Sequence, residues 1–226
     1  NSLTDAIINV NGDQVQSLEI ILFMGLLSIL PSLIIMMTSF GKFIISLSFL
    51  RTAMGTQQTP PNMILVGMAL ILTFFVMNPT LSRIYAEAYV PYAEGELGME
   101  EFFDTAQVPL KEFMARNSDP SAVSIYCSLA GVTAPEDLTD LQQRVQLPLR
   151  VIMPAFVTSE LKEAFTIGFL VYLPFMLIDV VVSSTLMSMG MIMLPPAMIS
   201  TPFKLLFFIL LNGWELVFTT LVKSVH

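Results

Sequence analysis

The chain has 226 residues, of which 54% are hydrophobic and only 12% charged, with a mean hydropathy of +0.74. Ordinary soluble domains carry about a quarter charged residues, so lipid is the solvent that this composition suits. The net charge of −8 argues against a nucleic-acid partner, which needs clustered Lys and Arg to neutralise phosphate, and the single cysteine, Cys127, rules out an intrachain disulfide.

In chain order, residues 1–17 read as an N-terminal extracytoplasmic segment. The chain opens with Asn1, which a removed signal peptide and a trimmed chain explain equally. Residues 18–77 read as a first apolar hairpin region. Its first run, Leu18 to Met37, is long enough for a straight span. The second is split into Phe43 to Leu50 and Met63 to Met77 by a polar stretch from Arg51 to Asn62. Pieces this short suit hairpins or re-entrant elements better than simple spans.

Residues 78–166 form a long acidic insert with 13 acidic and 6 basic residues, against 5 and 4 in the rest of the chain. Glu100-Glu101-Phe102-Phe103 and Leu110 to Met114 have helical spacing of apolar positions. Pro135-Glu136-Asp137-Leu138 reads as a helix start, and Thr158-Ser159-Glu160 as the cap of a helix leading into the next apolar run. No alternating strand pattern of useful length occurs, so the insert reads as helical.

Residues 167–226 read as a second apolar hairpin with a Met-rich loop. Its runs, Ile167 to about Leu194 and Phe203 to Val222, each suit a straight span. Pro60-Pro61, Pro79, Pro195-Pro196 and Pro202 mark helix ends, whereas Pro31 and Pro174 fall inside runs and predict kinks or divisions. The fold class is therefore an all-α membrane protein. It has about four apolar helical segments, kinked or broken hairpins, and a helical extracytoplasmic insert. The basic residues Lys42, Arg51 and Lys204 predict cytoplasmic short connections, with the insert and N-terminus outside.

Catalytic patterns are nearly absent. The only histidine is His226, there is no Gly-Lys-Ser/Thr phosphate loop, and no His/Cys/Asp/Glu group has metal-ligand spacing. The expectation is a non-enzyme without metal or cofactor. Cys127 reads as a small buried apolar residue. The pairs Glu100-Glu101 and Glu136-Asp137 read as solvated helix faces, and Gly55 to Asn62 as a solvent-exposed connection.

Two features stand out. Asp179 lies deep in an apolar run, where an ionisable group is costly and needs a partner. Lys204, just past the Pro195-Pro196 turn, is the best-placed cation. Met187, Met189, Met191 and Met193 recur at every second position around Gly190. In extended backbone such positions share a face, and methionine repacks readily, so a ring of such loops would seal a pore yet yield to a passing chain.

Three motifs in order carry a family resemblance over nearly the whole chain from Leu18. They are Leu47 to Arg51 with Gly55-Thr56-Gln57-Gln58-Thr59-Pro60-Pro61-Asn62, then Pro154 to Leu161 with Phe165 to Gly168. The third is Pro174-Phe175 through Asp179, Ser188 to Met191, Pro195-Pro196, Pro202 to Lys204 and Gly213-Trp214. The chain resembles the FliP family of flagellar type III export gate subunits and its injectisome relatives, and its Gly-Thr-Gln-Gln form looks flagellar. Thr166 and Ile192 depart from the family pattern, the second interrupting what is often a continuous methionine run.

The resemblance implies a pentameric ring joined to FliQ and FliR, with FlhA and FlhB docked on the cytoplasmic side. It implies passage of unfolded export substrates through a channel that the methionine loop closes. It further implies a flagellar basal-body complex in the bacterial inner membrane, in contact with membrane lipid and largely on the periplasmic side. A small-solute secondary transporter, with Asp179 as coupling carboxylate, is the alternative; such folds usually show paired halves, and no internal duplication occurs here.

Overall fold

The computed structural model describes residues 24–25, 28–29, 31–33, 35–56, 58–191 and 193–226. The expected segment 1–17, half of the run from Leu18 to Met37, Gln57 and Ile192 lie outside the described residues. The chain divides into two units, 1–36 and 37–226. The described positions of the first are helical, with Ser28 Oγ donating to the Gly25 carbonyl at 2.7 Å.

The second unit is built from helices alone among its described residues: α1 (Phe40–Ala53), α2 (Asn62–Ile84), α3 (Met99–Arg116), α4 (Pro120–Leu129), α5 (Leu141–Val145), α6 (Leu149–Ser188), α7 (Pro196–Leu210) and α8 (Gly213–Lys223). A π-helical turn, Tyr85–Tyr89, and a last turn, Val90–Ala93, carry α2 onward. The whole 32-residue stretch is long and apolar enough to cross a membrane, as is the 40-residue α6.

This corrects the reading of Met63 to Met77 as a short piece. The helix does not stop at Pro79 but runs through it, and Pro202 likewise lies inside α7. Proline forfeits one ladder hydrogen bond, and neighbouring helices tolerate that loss at membrane depth. Pro154 and Pro174 do not divide α6.

The last apolar run is corrected in the opposite sense. It is not a straight span: α7 and α8 meet at 67°, where Asn212 adopts left-handed backbone (φ 50°). Asn-Gly is a turn dipeptide, and Gly213 lets the chain fold tightly. A Cβ there would fall 2.2 Å from the Phe208 ring.

α6 organises the unit. At about 1.5 Å per residue it is roughly 60 Å long, about twice the hydrocarbon thickness, so much of it stands outside lipid. Its N-terminal half packs Val151, Ile152, Ala155 and Phe156 against Phe113 and Met114 of α3 and Val123 and Cys127 of α4. The Phe113 and Phe156 rings meet edge to face, 5.8 Å apart. Its C-terminal half gives Ile167 and Phe175 to a second core with Phe43, Leu47 and Leu50 of α1, Leu65 and Leu72 of α2, Phe208 of α7, and Val217 and Leu221 of α8. The 166/167 boundary thus falls inside a continuous helix, at a change of core. The 77/78 boundary also falls inside a helix, α2.

α1 and α6 approach closely because Gly168 has no side chain; a Cβ there would lie 2.5 Å from Phe49 Cδ2. Ser46 Oγ adds an interhelical bond to the Ala164 carbonyl at 3.3 Å.

Two local starts differ from expectation. Pro135 to Leu138 is loop, in which Asp137 Oδ1 accepts from Thr139 N–H and hydroxyl. The helix begins at Leu141, where Asp140 accepts from Gln142 N–H. Thr158 to Glu160 lie well inside α6, which starts behind Pro148. There the Ser159 hydroxyl donates back to the Ala155 carbonyl and accepts from Asp119 N–H, so the hydroxyl serves tertiary contact rather than capping.

Candidate functional site

The Pro195-Pro196 pair starts α7 with fixed φ and turns it back along α6. The structure brings Lys204 of α7 to Asp179 of α6, with Nζ 2.6 Å from Oδ2. The Lys204 side chain is almost fully buried and Asp179 is 39% exposed, so the pair sits at the edge of the packed interface.

The polar Gly55 to Asn62 stretch, expected to be a plain solvent-exposed connection, reaches the same place. Gly55 has φ +75°, and a Cβ there would lie 3.0 Å from Thr201 Oγ1 and 3.9 Å from Lys204 Nζ. Only glycine combines that backbone with that approach. Arg51, at the end of α1, shapes the loop by donating to Asn62 Oδ1 at 2.5 Å and to the Pro60 carbonyl at 3.4 Å. The first and third sequence motifs therefore meet around Lys204.

Nine residues beyond Asp179, α6 ends in the methionine segment. Gly190 takes φ +74°, Met191 N–H reaches back to the Leu186 carbonyl at 2.9 Å, and Gly190 N–H reaches the Met187 carbonyl at 3.0 Å. This is a Schellman stop with glycine at its left-handed position. Met187 occupies the final turn of the helix, Met189 caps it, and Met191 and Met193 lie in the loop. All four are exposed, Met193 by 96%.

A second charged cluster went unread in the sequence. Lys42 of α1 is fully buried, with Nζ 2.8 Å from Glu160 Oε1 and 2.9 Å from Glu163 Oε2, both on α6. It also donates to the Ser224 carbonyl just past α8, at 3.1 Å. One ammonium thus ties together three helices. This corrects the placement of Lys42 in a basic connection: it lies inside a helix, where its charge is neutralised and does not face either aqueous side. The legible hint was the Glu160/Glu163 spacing, which puts two carboxylates on one helix face.

The neighbouring insert is fastened by Lys162, whose Nζ lies 2.6 Å from Asp119 Oδ2. This ion pair, with hydrogen bonds from Ser121, holds the Asp119 carboxyl down at about 2. Asn117 clamps the main chain of His226, donating to its oxygen at 3.1 Å and accepting from its N–H at 2.8 Å. The His226 backbone is therefore tied down. Among the described residues, no group of three or more His, Cys, Asp or Glu stands close enough to hold a metal.

The FliP family model matches residues 23–221. The chain belongs to the FliP family. It is 45% identical over 213 residues to "Flagellar biosynthetic protein FliP" of Aquifex aeolicus (strain VF5), covering 94% of this chain and 87% of that protein. The identically named protein of Pectobacterium carotovorum is 44% identical over 218 residues, 96% and 82% of the two chains. That of Bacillus subtilis (strain 168) is 44% identical over 208 residues, 92% and 91%. The FliP match encloses the Gly55 loop, the Asp179–Lys204 pair, the methionine segment and Lys42 with Glu160 and Glu163. This is an all-α FliP membrane protein of flagellar biosynthesis.

Proposed function

We propose that the chain is a pore-forming subunit of the flagellar type III protein export gate, conducting unfolded flagellar proteins across the bacterial inner membrane. It forms a pentameric ring and joins FliQ- and FliR-like subunits, with FlhA and FlhB docking from the cytoplasm. The assembled complex belongs to the flagellar basal body and lies largely on the periplasmic side. The chain contributes structure to this machine and no catalysis.

The observation that carries the reading is the methionine segment. Four exposed, unbranched thioether side chains stand at the turn between the 40-residue α6 and the 15-residue α7. In a ring, five such turns converge and their flexible side chains seal the closed channel. The Asp179–Lys204 pair holds the two arms of the hairpin in register, and the Gly55 loop lies close against α7 at Thr201. α7 and α8 leave Phe203, Leu206, Ile209, Leu210 and Leu216 exposed, an apolar surface that requires lipid or neighbouring subunits.

Replacing Met193 with cysteine tests the arrangement, since native Cys127 is buried. In the assembled complex a short bis-maleimide joins neighbouring chains into cross-linked dimers, the limit for one accessible cysteine per chain. Single chains only, in a complex of verified composition, would overturn convergence of the loops.

A further inference from the structure

The insert carries an aromatic surface that the proposed gate does not use. Tyr85 and Tyr89 stack on the π-helical turn with centroids 5.3 Å apart. Tyr92 meets Phe102 at 5.1 Å, and Phe102 meets Phe103 at 5.4 Å. Yet Tyr85 and Phe103 are 60% and 59% exposed, and Tyr89 and Tyr92 are also open to solvent. π-Helical turns recur at functional positions, and this one is pinned. Arg83 donates to Glu87 at 3.0 Å and also pairs with Glu112 of α3.

The charge around these rings is of one sign. Glu87, Glu94, Glu96, Glu100, Glu101 and Asp104 are all exposed, and no Lys or Arg occurs between Arg83 and Lys111. Arg83 is already held by its two glutamates. Aromatic faces attract cations through their quadrupole, guanidinium most readily, and carboxylates beside them add Coulombic attraction.

We propose that this face docks a cationic, arginine-bearing segment of a partner protein. Its guanidinium groups stack on Tyr89, Tyr92 and Phe103 while the flanking carboxylates hold their charge. A membrane-interface belt uses the same aromatic residues but relies on Lys and Arg to hold lipid phosphate, whereas this face repels an anionic surface. A second copy of the same face would set acid against acid.

The test uses the full chain in an uncharged detergent and a fluorescein-labelled peptide of alternating Arg and Ser, read by anisotropy. The expected result is salt-sensitive binding of this peptide and none of an alternating Glu and Ser peptide. The triple variant Tyr89→Ala, Tyr92→Ala, Phe103→Ala should bind about tenfold more weakly or worse. Tyr89→Phe with Tyr92→Phe should bind as the parent does, because the ring faces remain.

These aromatic side chains are exposed, so the variants should elute like the parent, with a melt lowered only by the few ring contacts they lose. Unchanged binding by the Ala variant would reduce the effect to general electrostatics and overturn the proposal. So would absence of peptide binding, capture of vesicles containing phosphatidylglycerol through the same three rings, or loss of self-association in the Ala variant.

Discussion

Removing the ammonium of Lys42 perturbs the most deeply buried charge in the described structure. Lys42 has no exposed surface, and the Glu160 side chain is 5% exposed. In Lys42→Met the Glu160 carboxylate stays buried without its partner 2.8 Å away, and the Ser224 carbonyl loses its donor. Breaking a buried pair on one side costs about 3–5 kcal/mol. Glu163 is 38% exposed and water replaces its partner cheaply, so Glu163→Gln costs about 1 kcal/mol or less. The double variant Lys42→Met, Glu160→Leu removes both charges and recovers much of the loss, since apolar replacement of a buried pair is often close to neutral.

The assay is thermal unfolding in detergent, reported by a thiol-reactive dye. Cys127 is buried in the insert core and burial pushes its thiol pKa up, so it reacts only when that core opens. For a domain of this size about 1 kcal/mol moves Tm by roughly 2–4 °C, so Lys42→Met should melt roughly 6–20 °C lower. A Lys42→Met protein melting with the parent, or a double variant no better than the single one, would refute the reasoning.

Asp179→Ala or Lys204→Ala should each reduce recovery of the assembled complex, and exchanging the two charges should partly restore it, as read by size-exclusion of the co-expressed subunits. Met191→Ala with Met193→Ala should leave assembly intact but raise the leak of small molecules, measured by dye release from vesicles holding the complex. The depressed Asp119 pKa gives a pH dependence: the unfolded state binds the proton first, so the stabilisation is present above about pH 4 and lost as pH falls toward about 2. Because Lys162 is largely exposed, the amount is below about 1 kcal/mol. Asp119→Asn should flatten that part of the stability-against-pH curve.

The helical class of this chain was legible because its apolar runs are long and its insert shows helical spacing at Glu100 to Phe103 and Leu110 to Met114. The turn at Gly190 was legible as well, since glycine followed by Pro195-Pro196 announces a stop. Composition misled where tertiary packing decides. The 23-residue α2 crosses Pro79, and the last apolar run is long enough to read as one span although the Asn212-Gly213 turn dipeptide and Glu215 interrupt it. The start of α5 differs from expectation by a few residues because Pro135 and Asp140 both carry N-terminal signals; the Asp140 carboxylate caps the helix. Lys42 and Glu160 stand 118 positions apart, and no local pattern links residues so distant. The close approach of Gly55 to α7 was hidden for the same reason, as its neighbour Thr201 lies on another helix.

The most direct test of the gate is native mass spectrometry of the complex purified after co-expression with FliQ- and FliR-like partners. The account predicts one stable species containing five copies of this chain together with both partners. A lone monomer or dimer, with the partners present but unbound, would contradict it and favour a transporter acting alone.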